Sequence, residues 1–426
     1  MNSVLKKTFP SMKAFHYLTI LMLVLILPAS FLHEKTARVI FYWCGYISLL
    51  GCLIEWRGIK SAGRQFELYY PLLLIGLVYL LWSFYAKSQL PEGMKSEFLF
   101  TSAKRFILSF VVCLYAFYVF NAGLVSKRGV KKLAQASIAC AFVFATLFAL
   151  FQEFTSTERV VLGINRATMT AYAYSALTMC LLIIMLNTET FKLKGVLIFL
   201  IPPVSLYVIL LTETRAAMAI HLFLLAAILV KCLRSHHQLK LVYLIPAIVA
   251  FVMCLFFAKK IIEVRVSSTV NEIHLYQKGN DHSSLGSRFT MWKTGLIAFK
   301  HAPFGETEQA RNTYIKKYLA EHGMPRSYAI SFLDVHLHNE MIQYASIFGV
   351  AGIVVLLYFY ITMIFSNGLK GYVLNPVSMI VISTLLYGLT DVLLTSVEYI
   401  VMLAVMIVLS KMIMQPDEER EALVVS

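Results

Sequence analysis

Val335-His336-Leu337-His338-Asn339-Glu340 is the densest polar cluster in this 426-residue chain, and it closes a hydrophilic stretch that begins near residue 259. His338 is the residue best suited to acid–base chemistry. A neutral imidazole can take a proton from a hydroxyl near pH 7, provided that its second nitrogen is held by an acceptor. Glu340 or Asp334 is near enough in sequence to be that acceptor. His336, two residues away, is expected to point elsewhere and ranks second. A His-x-His pair also raises metal ligation, but no third ligand stands at a convincing spacing, so neither a metal nor a cofactor is expected. The plain alternative for His338 is an interfacial histidine satisfied by a backbone carbonyl.

Two arginines extend the pattern. Thr212-Glu213-Thr214-Arg215 lies between two apolar runs, and Gly286-Ser287-Arg288 lies inside the hydrophilic stretch. An arginine that opens a helix works against the helix dipole, and a bound anion would resolve that conflict. Two planar guanidinium forks suit a pyrophosphate better than two point charges do. Snorkelling to the headgroups is the plain alternative for Arg215, and an ordinary surface role is the plain alternative for Arg288. Weaker candidates are Arg166 and Asp391, each at the end of an apolar run, and either could line a pocket or pair with another charge. P-loops, Gly-rich dinucleotide motifs, serine-nucleophile motifs and DxD-like sites are absent, so no nucleotide is expected as substrate.

The elements that must position these residues are membrane helices. The chain is 59% apolar and only 14% charged, against about 25% charged in soluble domains. Its apolar residues form long runs, which predict an all-α polytopic membrane protein. Twelve spans are expected, at about 15–32, 38–54, 67–86, 106–124, 133–151, 168–186, 195–211, 215–232, 240–258, 341–365, 376–391 and 397–414. This divides the chain into spans one to nine (1–258), one large outer loop (259–340), and spans ten to twelve with a cytoplasmic tail (341–426). Pro202-Pro203 should kink or break the seventh span. The first run follows Lys6, Lys7 and Lys13 like a signal peptide, but is too long and lacks a clear cleavage site, so it reads as a retained span.

The net charge of +15 sits mainly in short loops, which favours topology signalling over nucleic-acid binding. With both termini in the cytoplasm, inner segments hold about twice as many Lys and Arg as the short outer loops. The 212–215 turn and the 259–340 loop then share the outer face. Inside that loop, Phe289, Trp292, Leu296 and Phe299 recur at near-helical spacing. So do Tyr314, Ile315, Tyr318 and Leu319, with Arg311, Lys316 and Lys317 elsewhere around the helix. Both segments predict amphipathic helices lying on the bilayer or on the bundle, separated by the His301-Ala302-Pro303-Phe304-Gly305 turn. The seven cysteines, Cys44, Cys52, Cys113, Cys140, Cys180, Cys232 and Cys254, lie in or beside apolar runs and predict no disulfide.

Taken together, these features resemble the O-antigen ligase and polymerase superfamily. They are Arg215 at a span start, a long outer loop with Arg288, Trp292 and the His301–Gly305 turn, then His338-Asn339-Glu340 leading into a span with Gly349 and Gly352. One dominant loop is more like the ligase branch than the polymerase branch. The resemblance implies a bacterial inner-membrane glycosyltransferase with a periplasmic site. The donor would be O-polysaccharide on undecaprenyl pyrophosphate and the acceptor lipid A–core oligosaccharide, without ATP or metal. It implies that His338 is the catalytic base and that Arg215 and Arg288 hold the pyrophosphate. The surroundings of Arg166 depart from the family pattern. A polymerase, a protein O-oligosaccharyltransferase and a twelve-span transporter or flippase are the competing readings. Against transport, the ionisable residues gather at one membrane face rather than the midplane.

Overall fold

The computed structural model describes residues 10–89, 97–156, 158–188, 194–235, 244–368 and 375–416. The acidic 417–420 tail, Lys6 and Lys7, and the side chain of Cys232 lie outside the described part. Every regular element among the described residues is helical. Helices α1 (Pro10–Leu32) and α2 (Glu34–Ile54) form a hairpin, and α3 (Trp56–Ala62) with a 3-10 turn leads into α4 (Tyr70–Gln89). Then come α5 (Glu97–Asn121), α6 (Lys127–Thr155), α7 (Ala167–Asn187), α8 (Lys194–Leu211), α9 (Arg215–Ser235) and α10 (Leu244–Phe257). The hydrophilic stretch folds as α11 (Lys259–Gln277), α12 (Ser284–His301) and α13 (Glu308–Glu321), followed by a short 3-10 turn. Helices α14 (Glu340–Ile364), α15 (Pro376–Gly388) and α16 (Val397–Met414) follow.

Nine of the described helices, α1, α2, α4 to α8, α14 and α16, are long and apolar enough to cross a bilayer, and each coincides with an expected span. The other three expected spans fall on α9, α10 and α15, whose apolar stretches are shorter: Arg215–Val230, Ile248–Phe257 and Pro376–Gly388. At the centre stands α7, buried continuously from Met169 to Leu186, with α15, α16, α6 and α8 packed around it. A helix that is apolar on all sides belongs inside. Its small residues Ala171, Ala173, Ser175 and Ala176 let neighbouring backbones come close.

Three expectations change. Helix α8 runs unbroken through Pro202-Pro203, and the Ser205 hydroxyl donates to the Pro202 carbonyl at 2.9 Å. In α12 the buried stripe is not Phe289, Trp292, Leu296 and Phe299 but Thr290, Met291, Thr294, Gly295 and Ala298. The reason is close approach: a Cβ on Gly295 would lie 2.5 Å from Ile342 and 2.7 Å from Leu337. In α13, Arg311 is not on the outer side of the helix; it is fully buried, beside Ile315 and Leu319.

The hydrophilic stretch is fastened to the bundle at one backbone crossing. Gly349 interrupts α14 with φ 63°, a conformation open to glycine. The His301–Gly305 turn inserts there. Val350 N–H donates to the Pro303 carbonyl at 2.9 Å, and Glu306 N–H to the Ile347 carbonyl at 3.0 Å. A Cβ at Gly349 would sit 2.4 Å from the Pro303 oxygen.

Candidate active site

The loop before α14 carries the two histidines, and its shape is set from both ends. Asn339 caps α14, its side-chain oxygen accepting from Ile342 N–H at 3.1 Å, while its amide donates to the Leu389 carbonyl at 2.9 Å. The buried Arg311 guanidinium holds the other end. It donates to the Leu333 carbonyl at 3.0 Å and to Gln343 Oε1 at 3.1 Å. The same Gln343 oxygen accepts from Leu337 N–H at 3.0 Å. Asn312 adds bonds to the Leu333 carbonyl at 3.0 Å and to Asp334 at 2.9 Å. Trp292 Nε1 donates to the His338 carbonyl at 3.0 Å. His338 itself has φ 49°, the left-handed region that a non-glycine residue enters at some cost.

That geometry turns both rings onto one carboxylate, Asp391, in the turn after α15. His338 Nδ1 lies 3.1 Å from Asp391 Oδ1, and His336 Nε2 lies 3.7 Å from the same oxygen. Val392 N–H donates to Oδ1 at 2.9 Å and Tyr172 Oη to Oδ2 at 3.3 Å. The partner of His338 is therefore Asp391, not Glu340 or Asp334. Glu340 is sealed in the bundle, accepting from Leu394 N–H at 2.7 Å and from Tyr360 Oη at 2.9 Å. Asp334 is taken by Asn312. His336 does not point away: its ring meets His338 edge to face, with centroids 4.2 Å apart. Alternation in an extended chain sends i and i+2 to one side, and the turn at His338 then brings the rings together.

The electrostatics of the cluster are uneven. Burial pushes His336 down to about 4, against the pull of Asp391. Burial alone would raise the Asp391 carboxyl, but the His338 hydrogen bond, then His336 and Arg288, hold it below its usual range. A neutral His336, an ionised Asp391 and a His338 whose Nε2 makes no hydrogen bond among the described residues form the arrangement of an oriented base. The three side chains could also present one ligand atom each to a metal, all within 4.8 Å, so Asp391 supplies the third ligand that sequence spacing did not reveal. The His338 N–H donates to His336 Nδ1 at 3.3 Å. In a neutral ring that places the proton on Nε2, where the metal would have to bind, so the geometry suits a hydrogen-bonded triad better than an ion.

The arginines divide into two groups. Arg288 has no hydrogen bond or ion pair among the described residues, and its charge acts on both Asp391 and His336. Arg166, before the first turn of α7, also acts on His336 and is likewise unpaired. Arg215 stands apart, with Nη1 2.8 Å from Glu272 Oε1 and Nη2 3.3 Å from Oε2, on α11. Arg265 pairs with Glu213 beside it. The sequence reading missed Arg159, which donates to the Thr212 carbonyl at 2.9 Å and to Thr214 Oγ1 at 3.2 Å. Burial, then the Arg265 charge, lowers it. It also missed Tyr172, since a tyrosine inside an apolar run reads as core.

Fold and cluster together define a multi-span, all-helical membrane protein with a His–Asp pair and unpaired guanidinium groups at the ends of its helices. Residues 203–357, from the middle of α8 into α14, match the family model described as O-antigen ligase. Along 370 residues the chain is 25% identical to the O-antigen ligase of Escherichia coli (strain K12), covering 86% of each protein. A second relative, an uncharacterized protein of Haemophilus influenzae (strain ATCC 51907 / DSM 11121 / KW20 / Rd), is 32% identical over 106 residues, 24% of this chain and 26% of that one.

Proposed function

We propose that the chain is an O-antigen ligase of lipopolysaccharide biosynthesis in the bacterial inner membrane. It moves O-polysaccharide from undecaprenyl pyrophosphate to a sugar hydroxyl of lipid A–core at the periplasmic face. One observation carries this reading: His338 Nδ1 is held by Asp391 at 3.1 Å, which leaves Nε2 without a hydrogen bond among the described residues, and the Arg288 charge acts on that same Asp391. Nε2 takes the proton of the acceptor hydroxyl as its oxygen attacks the donor's anomeric carbon. The bond from that carbon to the pyrophosphate oxygen breaks, and undecaprenyl pyrophosphate leaves with the electron pair. Asp391 stabilises the imidazolium, as a buried carboxylate does for a catalytic histidine. Arg288 neutralises charge where it develops on the leaving group. Arg215 joins it by exchanging the Glu272 carboxylate for a phosphate oxygen. A single base with no nucleophile gives one displacement, with inversion at the anomeric carbon. In this reading the chain has twelve spans with both termini in the cytoplasm, and the site faces the periplasm.

The test uses purified protein in membranes with lipid-linked O-polysaccharide and rough lipopolysaccharide, in chelator and without ATP. Capped lipopolysaccharide ladders from wild type, absent with His338→Ala and Arg288→Ala at normal protein levels, are expected. Longer lipid-linked glycan without capping would mean a polymerase, and retained anomeric configuration would overturn the single displacement.

A further inference from the structure

We infer that the seam between α2 and α5, at the N-terminal end of α5, binds the phosphate of an anionic lipid, held by Lys104 and Arg105. Both cations lie inside the candidate span Leu99–Asn121, not in the loop before it. Arg105 is only 3% exposed. Its Nε donates to Tyr42 Oη at 3.2 Å, but its Nη1 is enclosed and has no partner. On the same helix the hydroxyls of Ser102 and Ser109 are also buried and unpartnered. Steps of three and four residues put these groups on one side of α5. Lys104 Nζ sits over the Tyr42 ring at 4.6 Å and 5.7 Å from the Tyr46 ring.

Among the described residues, the carboxylates at this corner are engaged elsewhere. Glu34 accepts from Arg38 Nε at 2.7 Å, and Glu398 accepts from the Ser396 hydroxyl at 2.8 Å. Arg38, Lys104 and Arg105 outnumber these two acids. A snorkelling arginine extends outward to water; Arg105 turns inward to α2 instead. A buried guanidinium with one neutral acceptor calls for an anion, and a cation within a span is by default a candidate binding residue. Phosphate fits a guanidinium fork, and a lipid headgroup presents one at the end of a membrane span. Trp43 and Tyr46 are exposed beside it, as rings at headgroup level are. None of these residues touches the His338–Asp391 cluster. The phosphate comes either from a bilayer phospholipid or from the lipid A end of the acceptor, the second source resting on the proposed function.

The test reads lipid retention, not transfer, so it stands apart from the proposed activity. The full chain is placed in phosphatidylcholine nanodiscs, offered phosphatidylglycerol, bisphosphorylated lipid A without core sugars, or dephosphorylated lipid A, and examined by native mass spectrometry. Wild type is expected to retain a phosphate-bearing lipid over phosphatidylcholine and dephosphorylated lipid A. Arg105→Gln and Lys104→Gln should each lose about tenfold in occupancy, the low end for a charge-assisted hydrogen bond, with Arg105→Lys intermediate. Lys104→Gln changes a half-buried side chain and guards against misfolding of the Arg105 variant. Preference for lipid A assigns the site to the acceptor, and preference for phosphatidylglycerol assigns it to the bilayer; either supports it. Equal retention by wild type and both glutamine variants would overturn it.

Discussion

His338 and His336 share one carboxylate oxygen but not one role. In the proposed reaction His338→Gln should cost about 10²–10⁴-fold in rate, Asp391→Asn a comparable factor, and His336→Gln less than tenfold; initial rates of capping decide. His336, held neutral with its pKa near 4, also has a stability consequence. An ordinary histidine takes up a proton near pH 6.5 when unfolded, while this one resists until about pH 4 when folded. The unfolded chain therefore binds more protons between those values, and stability falls as pH drops through that window. The lowered Asp391 carboxyl acts in the same direction at lower pH. Melting in detergent from pH 7 to 4.5 should show a steeper acid loss for wild type than for His336→Gln; parallel curves would refute it. His338 was legible because histidine is rare and chemically specific. Asp391 was harder to assign, since a carboxylate 53 positions along the chain offers no local sign of its partner.

Among the elements, α13 and α11 matter most. Arg311 is a cation in a hydrophilic helix, which reads as solvent-facing. Its guanidinium instead ties Leu333 to Gln343 and so fixes the histidine loop. Removing one member of such a buried network costs about 3–5 kcal/mol, so Arg311→Met should lower the melting temperature. It should also lower kcat while leaving the donor KM nearly unchanged, and lysine, lacking the fork, should not rescue it. Helix α11 has no buried residues and is pinned through Glu272 and Arg265. If Glu272 occupies the guanidinium that the donor needs, Glu272→Gln should lower the donor KM by about tenfold with kcat little changed; a raised KM would show that the pair builds the site rather than blocks it. Helices α12 and α13 were readable from periodicity, whereas α11, with no buried face, gave no such pattern. The buried face of α12 was not readable, because large aromatic residues suggest burial, whereas a tight helix crossing selects the small ones.

Apolar run length located the nine long apolar helices among the described residues, because crossing a bilayer imposes a length that composition alone reveals. Relative arrangement was not legible: nothing in the runs says that α7 lies at the centre or that α15 packs on it. The proposed twelve-span arrangement predicts that, in a cysteine-free background, Leu296→Cys reacts with an impermeant maleimide from the periplasmic side and Arg128→Cys does not. The reverse labelling would invert the protein. The pair His338–Asp391 spans the α14–α15 hairpin, and that has a consequence in time. As the chain is made, His338, Arg166 and Arg288 emerge before Asp391, the carboxylate that holds the His338 ring. On the proposed function, until α15 has inserted and folded back on α7, the half-built protein meets the proposed lipid-linked donor with its imidazole unaligned. Competence for the proposed reaction is thus deferred to the closing of one late hairpin.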